Sequence, residues 1–200
     1  MKKISFLFLT IFLSACAIDA TKKENLEETK LISSFSDKYV GIELNNSYQW
    51  LGIPYAEPPQ GTLRWKAPRA LINQKEAVKA LKFSDSCPQV PSISLDRGGK
   101  GNYTGSEDCL YLNVFIPKKI SSDKKLPVMF WIHGGGNTSG EAASYDFSKL
   151  ASAHELVIVS INYRLGFLGW FYHPSFAATS NNLEDKSGNF GTLDQIMALK

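Results

Sequence analysis

In Pro127-Val-Met-Phe-Trp-Ile-His-Gly-Gly-Gly136 an apolar run of strand length stops abruptly at a histidine and three glycines. Two further runs of the same kind, Leu110–Ile116 and Leu156–Ile161, flank it, and the segment Tyr145–His154 between the second and third has the spacing of a helix. Continuous apolar strands joined by a helix-length crossover predict an α/β architecture with a mostly parallel sheet covered on both faces. Upstream, Leu31–Phe35, Tyr39–Leu44 and Tyr48–Ile53 are short β-favouring runs separated by polar residues, which predicts a small antiparallel meander. Pro54, Pro58, Pro59, Gly61 and Pro68 then hold the chain extended, and Ser92–Ser106 reads as a surface loop. Downstream, a helix starts after Gly191 and still runs at Leu199-Lys200. The sheet is therefore expected to have further strands pairing with the last one present.

His133-Gly134-Gly135-Gly136 carries the chemistry. Attack on an ester carbonyl turns a neutral oxygen into an anion, and backbone N–H groups fixed toward that oxygen stabilise it without reorganising. Consecutive glycines allow positive φ and a close approach of amide to substrate. An HGGG-type loop plays this part in lipases and esterases. The Gly-x-Ser-x-Gly elbow that would carry the serine nucleophile does not occur in the 200 residues. A phosphate-cradling reading fails, because neither a dinucleotide fingerprint nor a Walker loop can be written through Gly134–Gly140. Ser139 lacks the elbow context and reads as a loop hydroxyl.

Composition is that of an ordinary globular chain, with 44% hydrophobic and 20% charged residues. A net charge of +3, without a basic stripe interleaved with aromatics, gives no support to nucleic-acid binding. Three histidines without ligand spacing give none to zinc, and no cofactor is called for. His154 and His173 read as surface or capping residues.

The N-terminus differs in kind. Lys2 and Lys3 precede an apolar stretch from Ile4 to Leu13, the pattern of a signal peptide over residues 1–15. Leu13-Ser-Ala-Cys16 resembles a bacterial lipoprotein box, so Cys16 is expected to carry lipid, and the polar run to residue 30 to act as a tether. The protein is then exported and held at a membrane. With Cys16 lipidated, Cys87 and Cys109 are left either as a disulfide or as two buried thiols, the former being favoured in an oxidising compartment.

Five segments in register resemble the type-B carboxylesterase family, which includes the cholinesterases. They are Gly52-Ile-Pro-Tyr-Ala56 through Leu63-Arg-Trp65, Glu107-Asp-Cys-Leu-Tyr-Leu-Asn-Val114, the glycine loop, Asn162-Tyr-Arg-Leu-Gly166 and Gly188-Asn-Phe-Gly-Thr-Leu-Asp-Gln195. The resemblance implies the N-terminal part of an α/β-hydrolase fold over residues 31–200, and a carboxylic ester hydrolase working through a serine acyl-enzyme on a small-molecule ester. It implies that Gly135 and Gly136 are oxyanion donors and that Cys87 and Cys109 are bridged. It makes Arg64 with Glu107, and Arg164 with Asp194, structural ion pairs. His133 is then an orienting residue rather than the base, and the Ser, His and acid of the triad lie beyond Lys200, so the chain alone is expected to be inactive. Two departures bear on specificity: Asn137 stands where an aromatic residue often follows the glycines, and only Tyr103 could offer an aromatic face in the Cys87–Cys109 loop. The first bears on the shape of the acyl side of the pocket; the second disfavours choline esters and favours a general esterase. The competing reading is a non-catalytic binding or adhesion module on the same fold, against which the intact glycine loop argues.

Overall fold

The computed structural model of the chain describes residues 31–34, 39–44, 46–72, 76–90, 103–121 and 125–200. The expected signal peptide, Cys16, the tether and most of the 92–106 loop lie outside these residues. Among the described residues one seven-stranded sheet organises the chain. Strands β1 (Leu31–Ser34), β2 (Tyr39–Glu43) and β3 (Ser47–Pro54) form the expected antiparallel meander. The two-residue β4 (Val78–Lys79) lies parallel to β2, and Leu51 N–H donates to Ala80 O at 2.8 Å just beyond it. β5 (Tyr111–Pro117), β6 (Val128–Ile132) and β7 (Val157–Ile161) complete the sheet in the order β1-β2-β3-β5-β7-β6.

Strand positions match the apolar runs closely, but strand direction departs from expectation. β5 is antiparallel to both β3 and β7, and among these main strands only β6 and β7 run parallel. The physical reason lies in what a continuous apolar run reports, which is burial on two faces and not the sense of the neighbours. Phe115 and Ile158, facing each other across β5 and β7, join Leu51, Phe147 and Ala151 in one cluster. Ile161, on the opposite face of β7, joins Ala56, Cys87, Cys109, Leu110, Tyr163 and Leu165 in the other.

The crossover from β6 to β7 contains helix α1 (Ser148–His154), shorter than the expected Tyr145–His154. Tyr145 and Phe147 stack on each other and meet Trp131 edge-on, and Phe147 also meets Phe115. Asp146 Oδ1 accepts the Ser148 N–H at 2.9 Å, so the helix starts only there. Two four-residue turns, α2 (Gly166–Gly169) and α3 (Pro174–Ala177), lead to α4 (Phe190–Leu199). His173 caps α3 by accepting the Ser175 N–H at 3.2 Å, and His154 is the last residue of α1.

The sheet does not continue from its last strand in sequence, contrary to what the apolar runs predict. The last strand in sequence, β7, is flanked on both sides, because the chain crosses over before it. β1 and β6 are the two end strands of the sheet among the described residues, and on β6 Val128 and Ile132 are 65% and 42% exposed.

Candidate active site

The glycine loop leaves β6 at its carboxyl end, where residues 134–138 are all exposed. Gly135, Gly136 and Asn137 follow one another at φ of +122°, +61° and +60°. A side chain at Gly135 would stand 2.0 Å from Ser139 O, so both the torsion and the space demand glycine there. Asn is among the few side chains that tolerate the left-handed region, which accommodates Asn137. The loop closes on itself: Gly135 O accepts the N–H groups of Thr138 at 3.1 Å and Ser139 at 3.2 Å, and the Thr138 hydroxyl at 3.0 Å. Among the described residues, the N–H groups of Gly135 and Gly136 donate to no protein acceptor and take no part in the strand ladder. Two neighbouring amide donors thus stand open at the end of a parallel strand, an arrangement able to bind an anionic oxygen.

His133 is built into the support of this loop. Only 3% exposed, its ring stacks on Tyr163 at 4.5 Å, and the Tyr163 hydroxyl donates to His133 O at 2.7 Å. Its Nδ1 lies 2.9 Å from Gly134 O, a contact satisfied by the Nδ1–H tautomer. Burial holds its pKa below the usual imidazole value, against smaller opposing effects from the Gly134 carbonyl and Glu141. A neutral, buried ring spending its proton on a backbone carbonyl is an orienting group. The Ser139 hydroxyl reaches Gly135 O at 3.4 Å.

The segment after β7 grips the loop from one side. Besides Tyr163, Gly166 N–H donates to Asn137 O at 2.7 Å, and the buried Asn162 accepts the Ala142 N–H at 2.8 Å. Asn162 and Tyr163 were legible only as part of a family motif; nothing in their local spacing reveals the loop they hold. Gln89, Arg69 and Asp185 carry no sequence signal of this kind, yet the first touches the loop and the other two form an ion pair.

The expected scaffold contacts are present. Cys87 and Cys109 are bridged, both nearly inaccessible, with Cα atoms 5.0 Å apart. Arg164 and Asp194 form a buried two-pronged pair, Nε to Oδ2 at 2.8 Å and Nη2 to Oδ1 at 2.6 Å. The Arg164 N–H also reaches Asp194 at 3.1 Å, and Arg164 Nη1 donates to Lys66 O at 2.8 Å. Burial pushes the Asp194 carboxyl up, while the Arg164 guanidinium and N–H pull it down. Arg64 and Glu107 make the same geometry, at 2.7 and 2.6 Å, but on the surface. A third pair joins Arg69 to the buried Asp185, which also accepts the Ala67 N–H and the Ser180 hydroxyl. Burial raises that carboxyl, and these donors outweigh it, holding its pKa below the usual value. Tyr103 is 70% exposed.

The sequence profile of the carboxylesterase family matches residues 36–200. A para-nitrobenzyl esterase of Bacillus subtilis (strain 168) is 41% identical over 86% of this chain and 34% of its own length. Liver carboxylesterase 1F of Rattus norvegicus is 34% identical over 98% of this chain and 35% of its own. Among solved structures, a thermophilic PNB esterase superposes with a TM-score of 0.67 at 41% identity, covering 80% of this chain and 32% of that one. A PNB esterase superposes with a TM-score of 0.69 at 39% identity, covering 86% and 34%. The chain thus spans about a third of the length of the relatives it matches.

Proposed function

The chain belongs to the carboxylesterase family, and from that premise we propose that it supplies the oxyanion-binding part of a serine carboxylesterase acting on small-molecule carboxylic esters. A serine attacks the ester carbonyl, the alcohol leaves, and water releases the acid from the acyl-enzyme. In both halves the carbonyl oxygen becomes an anion, and the N–H groups of Gly135 and Gly136 stabilise it. The serine, which brings a third amide donor behind it, and the His and acid partners come from polypeptide beyond Lys200. The observation that carries this reading is the pair of unengaged amides at Gly135 and Gly136, exposed at the end of β6 and fixed from behind by His133 and Tyr163. Comparing the 200-residue chain with a polypeptide extended to the length of its relatives, on a short-chain nitrophenyl ester, tests it. Turnover that a serine-directed phosphonate blocks is expected of the extended polypeptide alone. An inert extended polypeptide overturns the function, and phosphonate-sensitive turnover by the short chain overturns this division of labour.

The N-terminal pattern supports a second part of the proposal: export of the protein and its attachment to a bacterial membrane through lipid on Cys16. Mass spectrometry of the mature protein is expected to find a lipidated Cys16 as the first residue. An unmodified N-terminus at another position overturns it.

A further inference from the structure

We propose that Gln89 is a positioning residue for the oxyanion loop, a clamp that fixes Gly140 and through it the amides of Gly135 and Gly136; this rests on the esterase reading above. One side-chain amide engages both polar groups of a single glycine. Gln89 Oε1 accepts the Gly140 N–H at 2.8 Å, and Gln89 Nε2 donates to Gly140 O at 2.9 Å and to Cys87 O at 3.1 Å. Only a side chain with an acceptor and a donor on one planar group makes this pairing, and the pairing fixes which end is which.

The clamp stands on a rigid mount. Gln89 exchanges both backbone hydrogen bonds with Thr104, N–H to O at 3.1 Å and the return bond at 2.9 Å. Two residues before it, Cys87 is bridged to Cys109, and the Ser106 N–H is bonded to Ser86 O at 2.8 Å. Gly140, at φ of +111°, leaves no slack on its other side. A Cβ there would lie 2.4 Å from Gly134 O and 2.5 Å from His133 Nδ1. Movement of Gly140 therefore transfers directly to the first peptide of the loop and to the ring that orients it. At the neighbouring residue, Ser139 O fills the space where a Gly135 side chain would stand. The loop is held on one flank by Tyr163 and Gly166, and Gln89 is what holds the other.

In the extended, active polypeptide, Gln89→Met keeps the length of the side chain and removes every hydrogen bond it makes to the loop. A misplacement on the order of 1 Å costs up to about 100-fold in rate, so kcat is expected to fall about 10–100-fold. KM should stay within roughly twofold, since ground-state binding does not use the oxyanion amides. The inhibition constant of a trifluoromethyl ketone, whose adduct with the serine places an anion in the same hole, should rise by the same factor as kcat/KM falls. The unfolding midpoint should fall only slightly, so that the variant stays fully folded at the assay temperature. Gln89→Ala carries the same test should Gln89→Met not fold. An active wild type with kcat and inhibitor affinity unaltered in the variant overturns the proposal alone. So does a loss of rate that merely tracks a loss of folded protein, with inhibitor affinity per active site retained. A wild type without ester turnover removes the esterase reading and the proposal with it.

Discussion

At Gly135 and Gly136 one substitution meets two different environments. A methyl group at Gly136 meets nothing within 4 Å and bears only the cost of φ +61°, about 1–2 kcal/mol. At Gly135 the methyl collides with Ser139 O and the torsion is +122°. Gly135→Ala in the active polypeptide is therefore expected to lose about 10²–10³-fold in kcat, as removal of an oxyanion donor does, and Gly136→Ala far less; nitrophenyl ester kinetics read the difference, and equal losses would contradict the loop geometry. His133 makes a pH prediction. Its folded pKa lies below the ordinary value near 6.5, so as pH falls the unfolded chain takes up the proton first. Stability should decline from about pH 6.5 downward, toward the folded pKa, and His133→Gln should remove that part of the decline. Urea midpoints at pH 7.5 and 5.5 measure it, and identical declines in both proteins would place the ring in a less buried site.

At the scale of elements, apolar runs located the main strands almost to the residue, and the Asn189-Phe190 start of α4 fell within two residues of its expected place. Strand direction and the first turn of α1 escaped, because both are set by contacts across the fold: β5 pairing with β3 and β7, and Tyr145 and Phe147 spent on rings instead of a helix. The glycines of the loop were legible from their own composition. Gln89, Asn162 and Tyr163 were not, since a residue that acts on a loop 20 to 51 positions away leaves no periodic trace. Ion pairs show the same limit: spacing names partners but not burial. Asp194→Asn, breaking a pair that is 3% and 0% exposed, should cost about 3–5 kcal/mol. Glu107→Gln, at the exposed Arg64, should lower the unfolding midpoint much less, and the reverse order would contradict the assignment of Arg164 and Asp194 as the buried anchor of α4. Reducing the Cys87–Cys109 bridge, which spans 22 positions, should cost about 3 kcal/mol and loosen the mount of Gln89.

Across the whole molecule, the sheet places one open edge and one open loop on the same strand. Among the described residues β6 has no strand on its outer side; it carries exposed Val128 and Ile132 and the glycine loop at its end. A bare apolar edge of this kind is a template for pairing with another chain. The short chain by itself should therefore self-associate at concentrations where the extended polypeptide stays monodisperse, a difference that light scattering detects. In the proposed reaction the negative charge rests on an oxygen held by the amides of Gly135 and Gly136. A crystal structure of the extended polypeptide, inactivated by a phosphonate on its serine, locates that oxygen. The phosphonyl oxygen is expected at about 3 Å from the nitrogens of both Gly135 and Gly136; an oxygen directed away from those amides, with the loop unchanged, would show that they do not hold the charge.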